Sequence, residues 1–274
     1  MFIEIIKNTK EKSPLVHNIT NYVTVNDCAN VILACGGSPL MSDDIGEVEE
    51  IVSISSALVI NIGTLNERTI ESMVVAGKKA NQIGIPVILD PVGMGASNLR
   101  NDAVYRLTNE VKFSVIKGNI SEIKALVSNC KNSGGVDVQK SDIVDYQNID
   151  EVINFIKGVS KQFNSIIAVT GEFDIITDSE KACIIKNGHQ IMSKITGTGC
   201  MCSSLIGAYC GGSPRDIYNA TVTGIATMGL AGEMAFENIN KEKRGTGSFK
   251  VYLIDAINLM TSDILKAGAK FENR

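Results

Sequence analysis

The sequence predicts an α/β fold, a mostly parallel central sheet flanked by helices, with a helical C-terminal part. Short apolar runs that are rich in β-branched residues and bounded by turn residues are typical of strands buried on both faces. Amphipathic helical stretches separate these runs, and this alternation favours right-handed crossovers in a doubly wound sheet. The 274 residues are 44% hydrophobic and 20% charged, which suffices for a full core. No linker, repeat or low-complexity tract divides the chain, so we expect a single domain over 1–274.

The first 170 residues contain the alternating part. Parallel strands are predicted at 15–19, 57–62, 86–90, 113–117 and 166–170. Helices are predicted between them at 23–34, 45–55, 67–82, 103–110, 121–128 and 149–162.

The pattern changes after residue 170. The runs 174–178 and 182–186, joined by a polar turn, predict a β-hairpin at the sheet edge. His189 is placed in this hairpin and interpreted as structural. From Gly199 onward the sequence predicts only helices, at 199–210, 214–238 and 247–268. The pair Gly134-Gly135 predicts a flexible loop.

Composition excludes several classes of function. The net charge is −4, aromatic residues make up 5% and Trp is absent, so neither a basic stripe nor a base-stacking platform for nucleic acid is expected. No apolar run approaches 18 residues, so we expect no membrane contact. There is no apolar leader and the seven cysteines lack disulfide-scaffold spacing, which indicates reduced thiols and a cytoplasmic protein. Cys200 and Cys202 are too close in sequence for a zinc knuckle.

The segment 195–200 (ITGTGC) runs directly into an apolar helical stretch. Small residues at a helix start leave backbone N–H groups unobstructed, and those groups with the helix dipole bind phosphate or another anion. Cys200 would then face the group that carries the anion. The alternative is a glycine-rich helix start that binds nothing.

Polar segments, four of them containing glycine, stand at the ends of the five predicted strands. They are 17–21, 61–65, 90–96, 117–122 and 170–172. In open α/β sheets ligands bind beyond the carboxyl ends of the strands. A ligand site is therefore expected where these segments meet.

Eight segments together resemble the hydroxyethylthiazole kinases, a family of the ribokinase-like superfamily. They are 14–26 (PLVHNITNYVTVN), 37–43 (GSPLMSD), 61–65 (NIGTL), 87–96 (VILDPVGMGA), 115–123 (VIKGNISEI), 169–178 (VTGEFDIITD), 195–200 (ITGTGC) and 245–249 (GTGSF). They occur in family order over nearly the whole chain. The resemblance implies a ribokinase-like fold and transfer of the ATP γ-phosphoryl group to the alcohol of 4-methyl-5-(2-hydroxyethyl)thiazole, in thiamine salvage.

The resemblance also implies residue roles. Lys117, Thr170 and Gly199 would bind ATP, although the family more often has Arg where Lys117 stands, and Lys lacks the bidentate fork. Gly197 would let the thiazole alcohol approach the phosphoryl group.

Met41, Asn21 and Asn26 would line the thiazole pocket. Taken alone, Met41 could equally be core packing, and His17 could be a satisfied strand-end histidine. The family also implies a homotrimer with active sites between subunits.

A magnesium site is implied by Asn119-x-x-Glu122, which resembles the superfamily element that holds Mg²⁺ through its water shell. Two oxygen side chains on one helical turn suit a hard cation, and Asp90 would join the outer shell. An ordinary capping box at a helix start is the alternative for Asn119 and Glu122, and both interpretations are compatible. Asp90 could instead be a turn residue before Pro91.

Cys200 stands where the wider superfamily usually has an Asp general base. Thiols at helix N-termini ionise more readily than free thiols, so a thiolate base is one interpretation. Phosphoryl transfer through a loose transition state needs little base assistance, and pocket shaping is the other interpretation.

The sequence leaves two other functions open. One is a ribokinase-like enzyme with another substrate, either a pyrimidine or pyridoxal alcohol kinase or an ATP-dependent repair dehydratase. The other is a nucleotide-binding regulator without turnover. The segments 18–24 and 37–41 favour the thiazole kinase.

Overall fold

The computed structural model describes residues 2–128 and 148–274, and the predicted loop at Gly134-Gly135 lies outside them. The strands are β1 Leu15–Ile19, β2 Ser38–Met41, β3 Ala57–Asn61, β4 Val87–Asp90, β5 Val115–Asn119, β6 Ile166–Thr170, β7 Asp174–Thr177, β8 Ala182–Ile185 and β9 Phe271–Asn273. The helices are α1 Phe2–Lys12, α2 Val25–Cys35, α3 Val48–Ile54, α4 Glu67–Ile83, α5 Asn98–Glu110, α6 Ile120–Ser128, α7 Ile149–Phe163, α8 Thr198–Gly212, α9 Ile217–Glu242, α10 Thr246–Leu259 and α11 Ser262–Gly268. A 3-10 helix spans Gln190–Lys194.

The strands form one sheet in the order β2-β1-β3-β4-β5-β6-β7-β8-β9. The first six strands in this order are parallel, and the last three are antiparallel additions. The five predicted parallel strands are all present, with ends shifted by up to two residues. The carboxyl ends of β3 and β4 coincide, because Asn61 pairs with Asp90, and Asn119 of β5 pairs with Thr170 of β6.

Helices cover both faces of the sheet. One apolar cluster joins the sheet to α1, α2 and α8–α11, and a second joins its other face to α3–α7. Alternate strand residues contribute to opposite clusters, with Val16 in the first and Ile19 in the second. This explains why the strands read as continuous apolar runs.

Helix α8 lies against the middle of the sheet. It is buried on every side over most of its length, as expected of a helix without a polar face. Gly207 permits the close approach, because a Cβ there would lie 2.5 Å from Val59 Cγ2 and 3.3 Å from Val16 Cγ1. The start of α8 is therefore held at the carboxyl ends of β1 and β3.

Two short strands were missed by the sequence reasoning. The edge strand β2 has only four residues, includes Pro39 and is half-buried, so it lacks the apolar run of a central strand. The prediction that the chain is all helical after Gly199 is wrong at its end, because β9 pairs with β8. Helix α1 was not among the predicted helices.

The predicted helix at 247–268 is two helices. Helix α10 ends at Leu259, and Thr261 caps α11 by accepting a hydrogen bond from the N–H of Ile264 at 3.2 Å. Helix α5 begins at Asn98 rather than at 103, since Ser97 caps it. No helix in 2–128 or 148–274 combines the length and hydropathy needed to cross a bilayer.

Candidate active site

The exits of β1, β3, β4, β5 and β6 surround the start of α8, and two adjoining cavities lie there. The larger has a volume of about 990 Å³ and the smaller about 380 Å³. Four residues line both, namely Lys117, Asn119, Thr170 and Gly199. The two cavities therefore meet at the exits of β5 and β6, over the first turn of α8.

The larger cavity extends away from this meeting point toward α9 and the segment after β8. Its remaining wall is formed largely by Asp174, Lys186, Asn187, His189, Met192, Thr198, Cys202, Ile225 and Met228. Its lining combines apolar side chains such as Ile225 and Met228 with the ammonium of Lys117. A cavity of this volume and lining can take a planar apolar ring and a chain of anionic groups together.

The smaller cavity contains most of the residues singled out from the sequence. Its wall includes Asn21, Thr24, Gly63, Asp90, Glu122, Gly197 and Cys200. Four carboxamide or carboxylate side chains, those of Asn21, Asp90, Asn119 and Glu122, thus face the same space as the Cys200 thiol.

The turn before α8 has a backbone conformation that requires glycine. Gly197 precedes the helix with φ +90°, a conformation that only glycine adopts without strain. A Cβ at Gly197 would also lie 2.5 Å from Thr24 Cγ2. No side chain caps α8, so its first N–H groups keep their hydrogen-bonding capacity for a ligand.

Lys117 and Asp90 form a buried pair between the cavities. The ammonium Nζ lies 3.7 Å from Asp90 Oδ2, and the two side chains are 4% and 2% exposed. Lys117 Nζ also donates to the carbonyl of Gly199 at 3.1 Å. Burial by itself would lower the pKa of Lys117, but the surrounding acidic groups, Asp90 foremost, raise it above its usual value. A fixed positive charge therefore stands at the first turn of α8.

Asp90 has further partners in the fold. Its Oδ2 accepts hydrogen bonds from Asn61 Nδ2 at 2.9 Å and Ser203 Oγ at 2.7 Å. Neither Asn61 nor Ser203 was singled out as a site residue. Ser203 follows Gly199 by four residues on α8, so helical periodicity does place it on the same side of the helix.

Cys200 is in contact with a network of buried amides. Asn21 Nδ2 donates to Cys200 Sγ at 3.3 Å and to Asn61 Oδ1 at 2.9 Å. Asn21 Oδ1 accepts from the backbone N–H and the hydroxyl of Thr24, at 3.1 and 3.0 Å. The Asn21 side chain is thus fixed by its neighbours and orients the thiol.

Asn119 and Glu122 form a reciprocal cap at the start of α6. The backbone N–H of Asn119 donates to Glu122 Oε2 at 2.8 Å, and the N–H of Glu122 donates to Asn119 Oδ1 at 2.9 Å. Glu122 Oε1 accepts from the N–H of Gly93 at 2.8 Å. Burial raises the pKa of Glu122, against the effect of these two N–H groups. The capping interpretation holds, and the same carboxylate also faces the smaller cavity.

These side chains fit a cation held through water rather than a closed metal cage. Within the described parts of the chain, no three His, Cys, Asp or Glu side chains converge on a ready-made metal centre. Asp90, Glu122 and Asn119 nevertheless present hard oxygen atoms to one cavity. Mg²⁺ usually keeps several waters and takes only one or two carboxylates from the protein.

Met41 lines neither cavity. It is the last residue of the edge strand β2 and is half-buried. His17 lies inside the fold, where its Nε2–H donates to the carbonyl of Ser42 at 2.9 Å. Burial lowers the pKa of His17, which favours the neutral ring. Its Nδ1 is buried without a hydrogen-bond partner among the described residues, so His17 is a buried strand histidine as expected but is only half satisfied.

The placement of His189 in the hairpin is wrong. Strand β8 ends at Ile185, and His189 lies beyond it in the wall of the larger cavity. Its ring stacks on Phe236 with centroids 3.6 Å apart, and its Nδ1 accepts from the N–H of Ile191.

Asp174 was not recognised as a site residue, because its neighbours fit a strand pattern. It begins β7 and lines the larger cavity. Burial raises its pKa to about 7, although the N–H of Gly171 and the charge of Lys117 favour the carboxylate. Its closeness in sequence to Thr170 was the signal that could have identified it.

Comparison with known proteins gives consistent matches. The model of the hydroxyethylthiazole kinase family matches residues 6–263. The chain is 51% identical over 273 residues to a hydroxyethylthiazole kinase of Clostridium acetobutylicum, covering 100% of both chains. It is also 51% identical to one of Clostridium beijerinckii, covering 98% of this chain and 95% of the relative.

Superposition on solved structures agrees with these sequence matches. A hydroxyethylthiazole kinase from Pyrococcus horikoshii OT3 superposes with a TM-score of 0.86 at 34% identity, covering 100% of this chain and 98% of that one. A ribokinase-like superfamily protein from Enterococcus faecalis V583 superposes with a TM-score of 0.59 at 11% identity, covering 92% and 88%. The second match shows a shared fold alone, and that fold is ribokinase-like.

Proposed function

The chain belongs to the hydroxyethylthiazole kinase family, and on that premise we propose that it transfers the ATP γ-phosphoryl group to the alcohol of 4-methyl-5-(2-hydroxyethyl)thiazole. The product is the thiazole phosphate used in thiamine salvage and biosynthesis. The observation that carries the proposal is a match at 51% identity over the whole chain. The two cavities that meet over the first turn of α8 support it, since they suit a nucleotide and a small alcohol side by side.

The nucleotide is assigned to the larger cavity. Thr170 and Gly199 stand at the end that the two cavities share, and the buried ammonium of Lys117 is there as well. In this assignment the triphosphate lies at that end and the base lies toward Met192, Ile225 and Met228. Lys117 supplies a compact positive charge and offers no bidentate contact.

The transferring phosphoryl group is assigned to the first turn of α8. Free N–H groups and the positive end of the helix dipole stabilise the charge on its oxygens, and Lys117 adds a fixed charge next to them. Gly197 keeps the approach open for the alcohol. Catalysis of this kind consists of positioning and charge stabilisation, with little covalent chemistry.

Magnesium is assigned to the polar side of the smaller cavity. Glu122 and Asn119 would hold it through water, and Asp90 would belong to its outer shell. When bound, Mg²⁺ would neutralise phosphate charge and orient the phosphate for attack by the alcohol. Glu122 serves as helix cap and metal-shell ligand at the same time.

Cys200 lines the smaller cavity, to which the alcohol is assigned. As a base it would accept the alcohol proton, and as a pocket residue it would only fix the position of the substrate. The amide of Asn21 orients the thiol in both cases. Because general-base assistance is worth roughly 10²–10⁴-fold, the two roles differ measurably.

A homotrimer with active sites between subunits accounts for Met41 and for an exposed apolar stripe. The stripe consists of Tyr22 and Val23 just before α2, Leu33 on α2, and Val251 and Leu259 on α10, which packs against α2. These side chains are 79%, 54%, 57%, 57% and 64% exposed. Val23 also lines the smaller cavity. Contiguous exposed apolar surface marks interaction sites, and a second subunit on this surface would extend the thiazole pocket toward a Met41 side chain.

The remaining assignments follow from the family and the composition. We propose a cytoplasmic enzyme of one ribokinase-like domain, with ATP and hydroxyethylthiazole as its partners and without a nucleic-acid or membrane partner.

One coupled assay tests the proposed function. Purified protein with ATP, Mg²⁺ and hydroxyethylthiazole is expected to release ADP and form the thiazole phosphate, and omission of Mg²⁺ should abolish both. Pyridoxal and a hydroxymethylpyrimidine serve as comparison substrates at the same concentration. Faster turnover of either would make the substrate assignment wrong, and ATP binding without turnover of any alcohol would favour a regulator.

A further inference from the structure

Arg100, in the first turn of α5, joins the two loops that leave β3 and β4. Its Nη1 donates to the carbonyls of Ile62 at 2.7 Å and Val92 at 2.6 Å, and its Nη2 donates to the carbonyl of Gly63 at 2.9 Å. The fork geometry of a guanidinium allows one side chain to bond three carbonyls at once. These bonds begin where the ladder between β3 and β4 ends.

The loop after β3 leads from Arg100 to the thiol. Gly63, whose carbonyl Arg100 holds, donates its own N–H to Asn61 Oδ1 at 2.9 Å. The same Asn61 oxygen accepts from Asn21 Nδ2, and that amide also contacts Cys200 Sγ. Gly63 packs directly on Asn21, because a Cβ at Gly63 would lie 2.9 Å from Asn21 Cβ. A shift of this loop therefore moves the amide that orients Cys200.

The loop after β4 leads from Arg100 to the other side of the cavity. Val92, whose carbonyl Arg100 holds, precedes Gly93, and the N–H of Gly93 donates to Glu122 Oε1 at 2.8 Å. This loop passes close to the guanidinium, since a Cβ at Gly93 would lie 3.4 Å from Arg100 Cδ. The position of Val92 thus sets one of the two hydrogen bonds that fix the Glu122 carboxylate.

We propose that Arg100 is a positioning residue that fixes the position of Cys200 relative to Glu122 across the smaller cavity. The proposal rests on the proposed function, because it gives these two side chains a shared task. Arg100 does not line either cavity and acts only through main-chain carbonyls. Neither loop lines the larger cavity, so we expect Arg100 to affect nucleotide binding less than it affects Cys200 and Glu122.

The experiment compares three variants of the full chain. Arg100→Met keeps the length of the side chain and removes every donor. Arg100→Lys keeps the charge, but a single ammonium cannot reproduce the fork. Arg106→Met is the matched control, because Arg106 lies on the same helix and pairs only at the surface with Glu71 and Glu110.

Two properties are measured. The first is the rate at which iodoacetamide alkylates Cys200 in the absence of ligands, followed by peptide mass spectrometry. The second is the steady-state kinetics. In Arg100→Met we expect Cys200 to be alkylated several-fold faster. We also expect kcat to fall about 10-fold or more and the half-saturating Mg²⁺ concentration to rise, with the KM for ATP within twofold of the parent. Arg100→Lys should show smaller changes of the same kind, and Arg106→Met should match the parent in all of them.

Parent-like alkylation and magnesium dependence in Arg100→Met would overturn the proposal. An equal loss in Arg106→Met, or a KM for ATP that worsens as much as kcat, would overturn it too, because the effect would then be general loosening. If Arg100→Met does not fold, Arg100→Lys is compared with Arg106→Met instead, and the same criteria apply. The alkylation readout needs no turnover, so it judges Arg100 even if the parent fails to phosphorylate the thiazole.

Discussion

At the residue scale, the site depends on a few side chains that each serve two neighbours. Lys117 bonds the Gly199 carbonyl and pairs with Asp90, which links the start of α8 to the exit of β4. Glu122 accepts two backbone N–H groups from different loops. Substitutions at such residues change local order together with charge, so each test below includes a variant that separates the two effects.

Cys200 is tested by two substitutions with different expected results. Cys200→Ala should leave measurable activity, because the N–H groups of α8 and Mg²⁺ still act on the phosphates. Cys200→Asp should preserve or raise kcat, since a carboxylate is ionised at neutral pH and Asn21 can donate to it as it does to the thiol.

A covalent role for the thiol predicts a different outcome. Both variants would then be inactive, and enzyme mixed with ATP alone would gain the mass of a phosphoryl group. Intact-protein mass spectrometry and initial rates distinguish the two mechanisms. A phosphocysteine, or a folded but inactive Cys200→Asp, would disprove direct transfer.

Glu122→Gln separates the metal role from the capping role. Gln offers one carbonyl oxygen where Glu offers two, so one backbone N–H loses its partner, at a cost in stability of about 1–3 kcal/mol. Loss of the charge near Mg²⁺ should lower kcat about 10-fold or more and raise the magnesium requirement.

Thr261→Ala is the control for Glu122→Gln, because it removes a helix cap remote from the site. It should lower the melting temperature without changing the magnesium titration. If the Glu122→Gln enzyme has the magnesium dependence of the parent, Glu122 acts only as a helix cap.

Ionisation of Asp174 makes the free energy of unfolding depend on pH. Its pKa of about 7 in the folded state lies above the unfolded value of about 3.9, so the native state binds this proton more tightly. The resulting stability is fully present below about pH 4 and is lost as the pH rises through about 7. The Asp174→Asn side chain cannot ionise, so its free energy of unfolding relative to the parent should rise by about 2–3 kcal/mol from pH 5 to pH 8.5.

Urea unfolding of both proteins at these two pH values measures the gain. The exposed Asp102→Asn should show no such gain. An Asp174→Asn variant whose difference from the parent is the same at both pH values would show that this carboxyl does not titrate near neutrality.

At the scale of single elements, α8 determines the geometry of the site. Its apolar sequence buries it against the sheet, and Gly207 sets the distance. Its start is fixed by Gly197, whose positive φ turns the chain so that the first N–H groups face the shared end of the cavities.

Gly197→Ala should disrupt this start in two ways. The left-handed backbone costs about 1 kcal/mol for Ala, and the new Cβ would meet Thr24 Cγ2. We expect a lower melting temperature and a fall in kcat of about 10-fold or more. Adding Thr24→Ser removes the methyl group and keeps the hydroxyl that bonds Asn21, so the double variant should recover part of the loss.

The measurements are thermal unfolding and turnover of the two single variants and the double variant. Failure of Thr24→Ser to restore any activity would show that the close approach of Thr24 is not what limits residue 197 to glycine.

At the scale of the whole molecule, parallel strand order brings distant segments to one edge of the sheet. The exits of β1, β3, β4, β5 and β6 lie side by side, and the antiparallel strands β7 and β8 continue the sheet beside the larger cavity. If the apolar stripe is the subunit interface, assembly and substrate binding would meet at Val23, which lines the smaller cavity.

The stripe is tested by Leu33→Glu combined with Val251→Glu. If the stripe is the trimer interface, this variant should be a monomer by analytical ultracentrifugation. Its KM for hydroxyethylthiazole should rise more than its KM for ATP, because only the smaller cavity adjoins the stripe.

Ile54→Glu is the matched control, since Ile54 is 66% exposed on α3 in the opposite helix layer. It should assemble as the parent does. A monomeric parent, or a double variant that assembles normally, would contradict this interface.

The sequence by itself determined the order of the parallel part and the family. Continuous β-branched runs alternating with amphipathic helices leave few topologies open, and all five predicted strands are present. The motif 195–200 also indicated that a helix begins after Gly197. These inferences succeed because they depend on periodicity and on glycine conformation, which are local properties.

Tertiary structure decided what local patterns do not encode. Strand β2, with a proline and half-buried side chains, became a strand only through pairing with β1. Asp174 is part of a cavity wall only because β7 folds back on β6, and His189 joins the same wall from beyond β8. The three carbonyl bonds of Arg100 likewise depend on the meeting of loops about thirty residues apart in sequence. Contacts of this kind arise from the packing of distant segments, and only the folded chain specifies them.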